Sequence, residues 1–192
     1  EVTDFNWTKK SYGSYILTNR DQNQYQFQLY TKKEGQYQEY FSPYFGAGRY
    51  PIAFSFSPDE ESVGFLLRDS QGNKEKIVLS IGDIAREQLT KVAELLFLES
   101  EVEDSELIDP CLVWDKKEDF LYVSINNRIF KVDLTTNEAE ELSLGFNGTA
   151  QFLSPDRKHL YIRKADESDT INQPESAFIY DLGENKVVYS SP

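Results

Sequence analysis

The chain has 192 residues, of which 33 are acidic and 20 basic, so its net charge is −13. This balance excludes the basic footprint that nucleic-acid binding requires, and it disfavours an anionic membrane surface. No apolar stretch approaches the roughly 20 residues of a membrane span, and the single cysteine excludes an intramolecular disulfide. Aromatic residues make up 14% of the chain, a content that favours strands over disorder.

The N-terminal quarter of the chain is rich in tyrosine and glutamine. Alternation over residues 27–30 puts the apolar side chains on one face of a strand and Gln28 and Tyr30 on the other. We expect Tyr37 and Gln38 to extend this polar, aromatic surface. Such surfaces suit sugar or peptide binding through stacking and amide hydrogen bonds. An ordinary solvated sheet face is the alternative interpretation.

A pattern of alternating apolar residues that runs into a polar turn recurs four times along the chain. Its copies begin at Phe27, Ile77, Phe130 and Phe178, which lie 50, 53 and 48 residues apart. Four units of about 48 residues fall in the range of β-propeller blades.

A second pattern, a strand followed by a Ser-Pro-Asp turn and another strand, precedes two of these copies. It begins at Phe56 and Leu153, and a variant without Ser-Pro begins at Trp114. Proline presets φ for such a turn, and Asp accepts a hydrogen bond from its own backbone. The segments "FSPD…VGFL" and "SPDRKHLYI", followed by strands ending in "VDLTTN" or "YDLGEN", resemble the blades of TolB-like and WD40-like propellers. The resemblance implies a fold and almost nothing about function, because such blades occur in peptidases, lyases and scaffold proteins alike.

We therefore predict an all-β, propeller-like array of four antiparallel blades in one domain. A closed four-bladed ring is favoured over an open array. An early strand at about 1–8 is the candidate to complete the last blade. The predicted units are 13–46, 50–98, 109–146 and 149–192.

Residues 83–99 are ambiguous, because their apolar side chains have roughly helical spacing. A shift of 53 residues, however, aligns 77–89 with 130–142, where a hairpin turn leads into an outer strand. We therefore predict an outer strand over 86–92, with a helix as the alternative.

Residues that carry catalysis or bind metals are scarce. His159 is the only histidine and Cys111 the only cysteine, so a zinc site of the usual ligands cannot be assembled. The sequence has no Gly-x-Ser-x-Gly nucleophile elbow. Asp59 and Asp156 recur with the repeat and are expected to belong to its turns.

A long connection over residues 163–176 interrupts the fourth unit, and long loops on a rigid β scaffold tend to carry binding residues. Its Asp166 and Asp169 offer oxygen ligands for calcium, but they lack the spacing and the glycine of an EF-hand loop. A solvated acidic loop is the alternative. No other cofactor is indicated.

These features favour a non-catalytic binding or scaffold module for a protein or glycan partner. The rival interpretations are a carbohydrate-active lyase or hydrolase, with carboxylates converging to ~5–10 Å at the propeller mouth, and an accessory domain of a larger protein. The candidate partner-binding residues are Gln28, Tyr30, Tyr37, Gln38, Asp166 and Asp169.

The sequence leaves the oligomeric state open. The chain begins at Glu1 without a methionine, which suggests a trimmed or processed chain. We expect an extracytoplasmic location, because the propeller repeats that the chain resembles are frequent in secreted and cell-envelope proteins.

Overall fold

The protein, described by a computed structural model, contains sixteen strands in four antiparallel sheets of four strands each. The described residues contain no helix, so the prediction of an all-β chain built from four blade-like sheets is confirmed. The sheets form two compact units, Glu1–Glu101 and Val102–Pro192, with two sheets in each. Closure into a ring stays a prediction. The residues that the structure describes are 2–7, 13–19, 24–33, 36–46, 48–70, 75–98, 110–115, 117, 119–146, 148–164 and 177–191.

Within each sheet the strands lie side by side in chain order, joined as successive hairpins. The first unit contains β1 (Val2–Trp7), β2 (Gly13–Asn19), β3 (Gln24–Lys33), β4 (Gln36–Phe41), β5 (Arg49–Phe56), β6 (Ser62–Asp69), β7 (Glu75–Asp83) and β8 (Gln88–Leu98). The second unit contains β9 (Cys111–Trp114), β10 (Phe120–Ile125), β11 (Arg128–Asp133), β12 (Glu138–Glu141), β13 (Gly148–Leu153), β14 (His159–Lys164), β15 (Ala177–Asp181) and β16 (Lys186–Ser190).

From the sequence, an early strand is the candidate to complete the last blade. This prediction is wrong, because the strand belongs to the first sheet. β1 pairs antiparallel with β2, with Trp7 opposite Gly13, and so forms the edge of the first sheet. A hairpin across a short connection costs far less loop-closure entropy than pairing with the other end of the chain. Local pairing therefore determines where β1 lies.

Phenylalanine side chains fill the core of the first unit, between its two sheets. Phe27 and Leu29 of β3 are fully buried, on the face that alternation predicted. Phe65 of β6 meets Phe27 edge-to-face, with ring centroids 4.9 Å apart. Gly82 of β7 leaves room for this cluster, because a Cβ there would lie 2.7 Å from Cζ of Phe41. A side chain at position 82 would displace the aromatic core.

The ambiguous segment is a strand, as predicted, although β8 begins at Gln88 and continues to Leu98. Its pairing with β7 contains two β-bulges, which leave Val92 and Leu95 as the extra residues. Each bulge shifts the two-residue alternation by one position. The apolar side chains therefore acquire a spacing that resembles a helix, although the backbone is extended throughout.

The Ser-Pro-Asp turns of the two units share one hydrogen-bond pattern. The hydroxyl groups of Ser57 and Ser154 donate to Asp59 and Asp156 over 2.7 and 2.5 Å. In the third sheet Asp115 takes the position of the serine, and its backbone N–H donates to the carbonyl at the start of β10 over 3.0 Å. The two recurring carboxylates thus belong to turns, as expected.

A second recurring turn ends the third strand of three sheets. Asp133 and Asp181 each accept hydrogen bonds from the backbone N–H groups two and three residues further on, at 2.8–2.9 Å. These bonds hold the pKa of both carboxyls below the ordinary value. Asp83 begins the same turn, in which Glu87 and Asn137 have a φ of 54° and 61°. At this turn the second and third sheets therefore align at a shift of 50 residues, and the shift of 53 predicted for this segment is wrong by three positions.

The second unit has an aliphatic core between the third and fourth sheets. Val113, Tyr122 and Ile129 pack with Leu160 and Ile162, all of them nearly or fully buried. A buried hydrogen bond also ties the two sheets, because the Ala150 N–H donates to the Ser124 hydroxyl over 2.8 Å.

Candidate functional site

The predicted Tyr/Gln surface contains a chain of hydrogen bonds on the first sheet. The Tyr30 hydroxyl donates to Oε1 of Gln28 over 3.2 Å, and Nε2 of Gln28 donates to Oε2 of Glu39 over 2.6 Å. Glu39 lies opposite Tyr30 in the register of β3 and β4. We call Gln28, Tyr30 and Glu39 the Tyr/Gln face; it lies on the side of β3 away from the Phe27 core.

Strand register separates two of the predicted residues in this region. Tyr37 pairs with Lys32, which occupies a position on the same face of β3 as Gln28 and Tyr30, because the three are spaced two residues apart. Gln38 pairs with Thr31, one residue out of phase, and so occupies a position of the opposite face. Alternation already places these two consecutive residues on opposite faces, and the register shows that Tyr37 is the one on the side of Gln28 and Tyr30.

Asp166 and Asp169 lie outside the described residues, so a role in binding a partner or calcium stays a prediction. The flanking strands are described: β14 ends at Lys164 and β15 begins at Ala177. The pairing of Lys164 with Gly148, and of Arg163 with Ala177, puts both strand ends at one edge of the fourth sheet.

A charge cluster joins the third and fourth sheets at the edge that carries the Asp turns. The Arg157 guanidinium makes a bidentate ion pair with Asp115, whose side chain is 1% exposed, and contacts Asp119 at 3.2 Å. Burial, and secondarily the Asp115 charge, raises the pKa of Tyr122 to about 12. Because the buried carboxylate is already paired with a bidentate arginine, this cluster suits a structural role.

His159 lies near the same edge between two carboxylates. Its Nδ1 is 3.7 Å from Asp156 and its Nε2 is 3.5 Å from Asp181. Both carboxylates are occupied by turn hydrogen bonds from the backbone or Ser154. The geometry links the two turns of the fourth sheet, so this histidine suits a structural role.

An open pocket of about 520 Å³ lies at the opposite edge of the second unit. It forms where the chain leaving β12 folds back along β11, held by a 2.8 Å hydrogen bond from the Leu142 N–H to the Ile129 carbonyl. Leu144 and Phe146 add further apolar lining, and Phe146 stacks on Phe178 with ring centroids 4.2 Å apart. We call this the Asn127 pocket. Its lining residues are Asn127, Arg128, Ile129, Glu141, Leu142, Ser143, Leu144, Gly145 and Phe146.

Asn127 lines this pocket and carries an unsatisfied hydrogen-bond acceptor. Asn126 and Asn127 form a tight turn, with φ of 49° and 61°, and the Asn127 carbonyl accepts a hydrogen bond from the Gly148 N–H. The Oδ1 atom of Asn127 is buried and has no hydrogen-bond partner in the described structure. Because a buried, unpaired acceptor is costly, this atom is suited to accept a hydrogen bond from a ligand.

A charged pair forms part of the pocket wall. Nε of Arg128 donates to Oε1 of Glu141 over 2.8 Å, and a second, shorter bond makes the pair bidentate. This pairing lowers the pKa of Glu141 and raises that of Arg128. Both side chains are more than 40% exposed, so either charge is accessible to a ligand.

Sequence reasoning missed this pocket. Two consecutive asparagines indicate a tight turn, but the sequence does not distinguish a turn residue from one that also lines a cavity. The alternating apolar residues of the connection, Leu142, Leu144 and Phe146, were the available signal.

Within the described ranges, no three His, Cys, Asp or Glu side chains gather as a metal site. The same part of the chain has no helix of the length and apolar character that crossing a membrane requires.

Solved structures show that the fold is of the β-propeller kind. A protein from Lactobacillus plantarum is 16% identical, with a TM-score of 0.58. The match covers 99% of this chain and 55% of the Lactobacillus chain. A chain of a mitotic checkpoint complex is 13% identical with a TM-score of 0.61, over 97% of this chain and 50% of its own. A prolyl endopeptidase structure is 15% identical, with a TM-score of 0.61. The match covers all of this chain and 30% of the endopeptidase chain.

The chain thus spans about half of the first two similar structures and less of the third. No protein-family model matches the sequence, and neither does any curated protein. At these identities the similarity concerns the fold alone, which is propeller-like.

Proposed function

We propose that the chain is a non-catalytic binding module that captures an extended segment of a protein partner at the Asn127 pocket. The observation that carries the proposal is the buried, unpaired Oδ1 of Asn127, a residue that lines an open, partly apolar pocket. A peptide supplies the matching chemistry: a backbone N–H for Oδ1, an apolar side chain for the leucine and phenylalanine lining, and a charge for Arg128 or Glu141.

A protein partner is favoured over a glycan by the position of the aromatic ring. Phe146 is half-buried and stacked on Phe178, so one of its faces is already occupied. Sugar stacking requires a ring face that is open to the ligand. The pocket also lies at the edge where β14 ends and β15 begins, so the connection that carries Asp166 and Asp169 starts and returns beside it.

The enzyme alternative finds less support in the described carboxylates. Asp115 and Asp119, which meet at one guanidinium, are held by Arg157 instead of facing an open site as an acid and a base.

The test is peptide selection followed by one matched pair of variants. Peptides selected from a random library on the immobilised chain are measured by fluorescence anisotropy. Asn127→Gly keeps the positive φ of the turn and removes the Oδ1 acceptor, and we expect it to weaken binding at least about tenfold, since one hydrogen bond is worth about 1.4 kcal/mol. Asn126→Gly makes the same backbone change at the other turn position and should stay within about twofold. Equal affinities for wild type and Asn127→Gly would contradict the proposal.

A further inference from the structure

The last strand of the fourth sheet, β16, has one long edge without a neighbouring strand in the described part of the chain. Along its other edge it pairs with β15, where Tyr189 lies opposite Ile179. The Ser191 N–H donates to the Ala177 carbonyl over 2.8 Å. Successive residues of a strand point their backbone groups to opposite sides, so the N–H and C=O of Ser190 face away from β15. We call this side the free edge of β16, and an edge of this kind is a template for pairing with another strand.

The last strands of the other three sheets carry carboxylates, whereas β16 carries none. β4 contains Glu39, β8 contains two bulges and Glu94 paired with two lysines, and three of the four residues of β12 are exposed glutamates. Charges and bulges on an edge oppose pairing with a further strand. β16 has one bulge, at Val188, and its only charge, Lys186, lies at the first position and pairs with Glu184 over 2.5 Å. It is therefore the least protected of the four edges.

Exposed apolar side chains are concentrated on this strand and on the face beside it. Val188 and Tyr189 are 47% and 55% exposed. Tyr189 ends an aromatic row that crosses the fourth sheet in register and contains Phe152, Tyr161, Ile179 and Tyr189. The rings of Phe152 and Tyr161 stack in parallel with centroids 4.5 Å apart. A fifth strand would extend this row and cover the exposed side of Tyr189.

The rest of the fourth sheet holds β16 in place. The turn before β16 is closed by hydrogen bonds from the N–H groups of Gly183 and Glu184 to Asp181, both at 2.8 Å. Val187 packs against the core of the second unit. A strand that is already ordered in this way loses little conformational freedom when another strand pairs with it.

The charge of the second unit favours a basic partner. Residues 102–192 contain 18 acidic and 9 basic side chains, a net charge of −9. Burial and, secondarily, the charge of Glu140 on β12 raise the pKa of Tyr180 on β15. The exposed glutamates of β12 are thus close to the fourth sheet, where they attract lysine or arginine side chains of a partner.

We propose that a basic, extended segment of a protein partner pairs with the free edge of β16 and becomes a fifth strand of the fourth sheet. Its backbone forms the hydrogen bonds, an aromatic or β-branched side chain packs beside Tyr189, and its lysine or arginine side chains meet the acidic surface. None of the residues that line the Asn127 pocket belongs to β16, so this surface is separate from the site of the proposed function.

The probe is a library of fluorescein-labelled heptapeptides in which Val, Ile, Phe or Tyr alternates with Lys or Arg. Fluorescence anisotropy measures their binding to the chain, and the same peptides with Glu in place of Lys and Arg are the charge control. We expect the best basic peptides to bind with a dissociation constant below about 1 mM, and at least about tenfold more tightly than their acidic counterparts. The Ser190 amide should exchange more slowly, by NMR, when the peptide is bound.

A matched pair of proline variants tests the edge itself. Ser190→Pro removes the N–H that faces the free edge, a position at which an edge strand tolerates proline, and it should weaken peptide binding at least about tenfold. The Leu142 N–H bonds to β11, so by the same alternation the Ala139 N–H faces away from β11. Ala139→Pro therefore makes the same change on β12 and should stay within about twofold of wild type. Asn127→Gly should bind the basic peptides as wild type does, and circular dichroism checks the fold of each variant.

Peptides that are N-methylated at every second amide test the same hydrogen bonds without changing the protein. Methylation in one phase should abolish binding, and methylation in the other phase should leave it within about threefold. Binding that survives both phases would overturn the proposal, as would an affinity for acidic peptides equal to that for basic ones. A library without any basic peptide that binds below about 1 mM also overturns it. If the chain instead self-associates in sedimentation equilibrium and Ser190→Pro abolishes this, a second copy occupies the edge and the proposal is wrong.

Discussion

The two compact units join their sheets by different means although they are built from the same repeat. In the first unit, Phe27 has four phenylalanine neighbours, with ring centroids between 4.9 and 6.4 Å, and the contact between sheets is aromatic. In the second unit the core is mainly aliphatic, and the sheets are additionally tied by the Arg157–Asp115 ion pair and the Ser124–Ala150 hydrogen bond.

The difference shows that the repeat specifies turns and strand order more strongly than it specifies the core. The Ser-Pro-Asp and Asp turns are nearly identical in both units because their geometry depends on local backbone hydrogen bonds. Contacts between sheets depend on volume and burial, which several combinations of side chains can satisfy. Each unit therefore has its own weak point, and variants can locate it.

The largest effect is expected in the aromatic core of the first unit. Phe27→Ala removes a fully buried ring and leaves a cavity among four others, and we expect the free energy of unfolding to fall by about 3–5 kcal/mol. Urea denaturation measures the loss, and hydrogen exchange should show it first at the amides of β6. Tyr44→Ala, at a side chain that is 69% exposed, should change stability by less than about 0.5 kcal/mol. A loss below about 1 kcal/mol for Phe27→Ala would show that the aromatic cluster is not the main support.

The second effect concerns the ion pair of the second unit. Asp115→Ala leaves the Arg157 guanidinium without its buried partner, and we expect a loss of about 2–3 kcal/mol, below the range for wholly buried pairs because Arg157 is partly exposed. Asp119→Ala removes the other carboxylate of the same arginine, which is 54% exposed, and should cost less than about 1 kcal/mol. Equal losses in the two variants would argue against a special role for the buried carboxylate.

The smallest effect comes from an ion pair on the surface of the first unit. Hydrogen bonds from Lys76 and Lys91 lower the pKa of Glu94 to about 2. Because the pKa in the folded state is below the value of 4.5 for a free glutamate, the stabilisation is complete above pH 4.5 and disappears as the pH falls toward 2. The side chain is a third exposed, so solvent screening limits the contribution to less than about 1 kcal/mol.

Glu94→Gln should therefore be slightly less stable than wild type at pH 7 and equal to it near pH 2. Chemical denaturation across this range measures the difference, with the exposed Glu138→Gln as the control. A difference that persists unchanged to pH 2 would show that the pairing with lysine is not its cause.

Much of the fold was predictable because its signals are local. Strands, the Asn126-Asn127 turn and the burial of Phe27 and Leu29 follow from alternation and turn chemistry over a few residues. Prediction failed where a local signal was disturbed: two bulges in β8 imitated a helical spacing, and the repeat in the second sheet was aligned three residues out of register.

The sequence by itself determined that this chain is an all-β array of four blade-like sheets, because the hairpins and turns of each sheet are formed by neighbouring residues. Only the tertiary structure decided that β1 pairs with β2, that Asp115 forms an ion pair with Arg157, and that Asn127 lines a pocket. It also decided that the row from Phe152 to Tyr189 stays exposed. These features depend on contacts between residues far apart in the chain, whose partners no local pattern specifies.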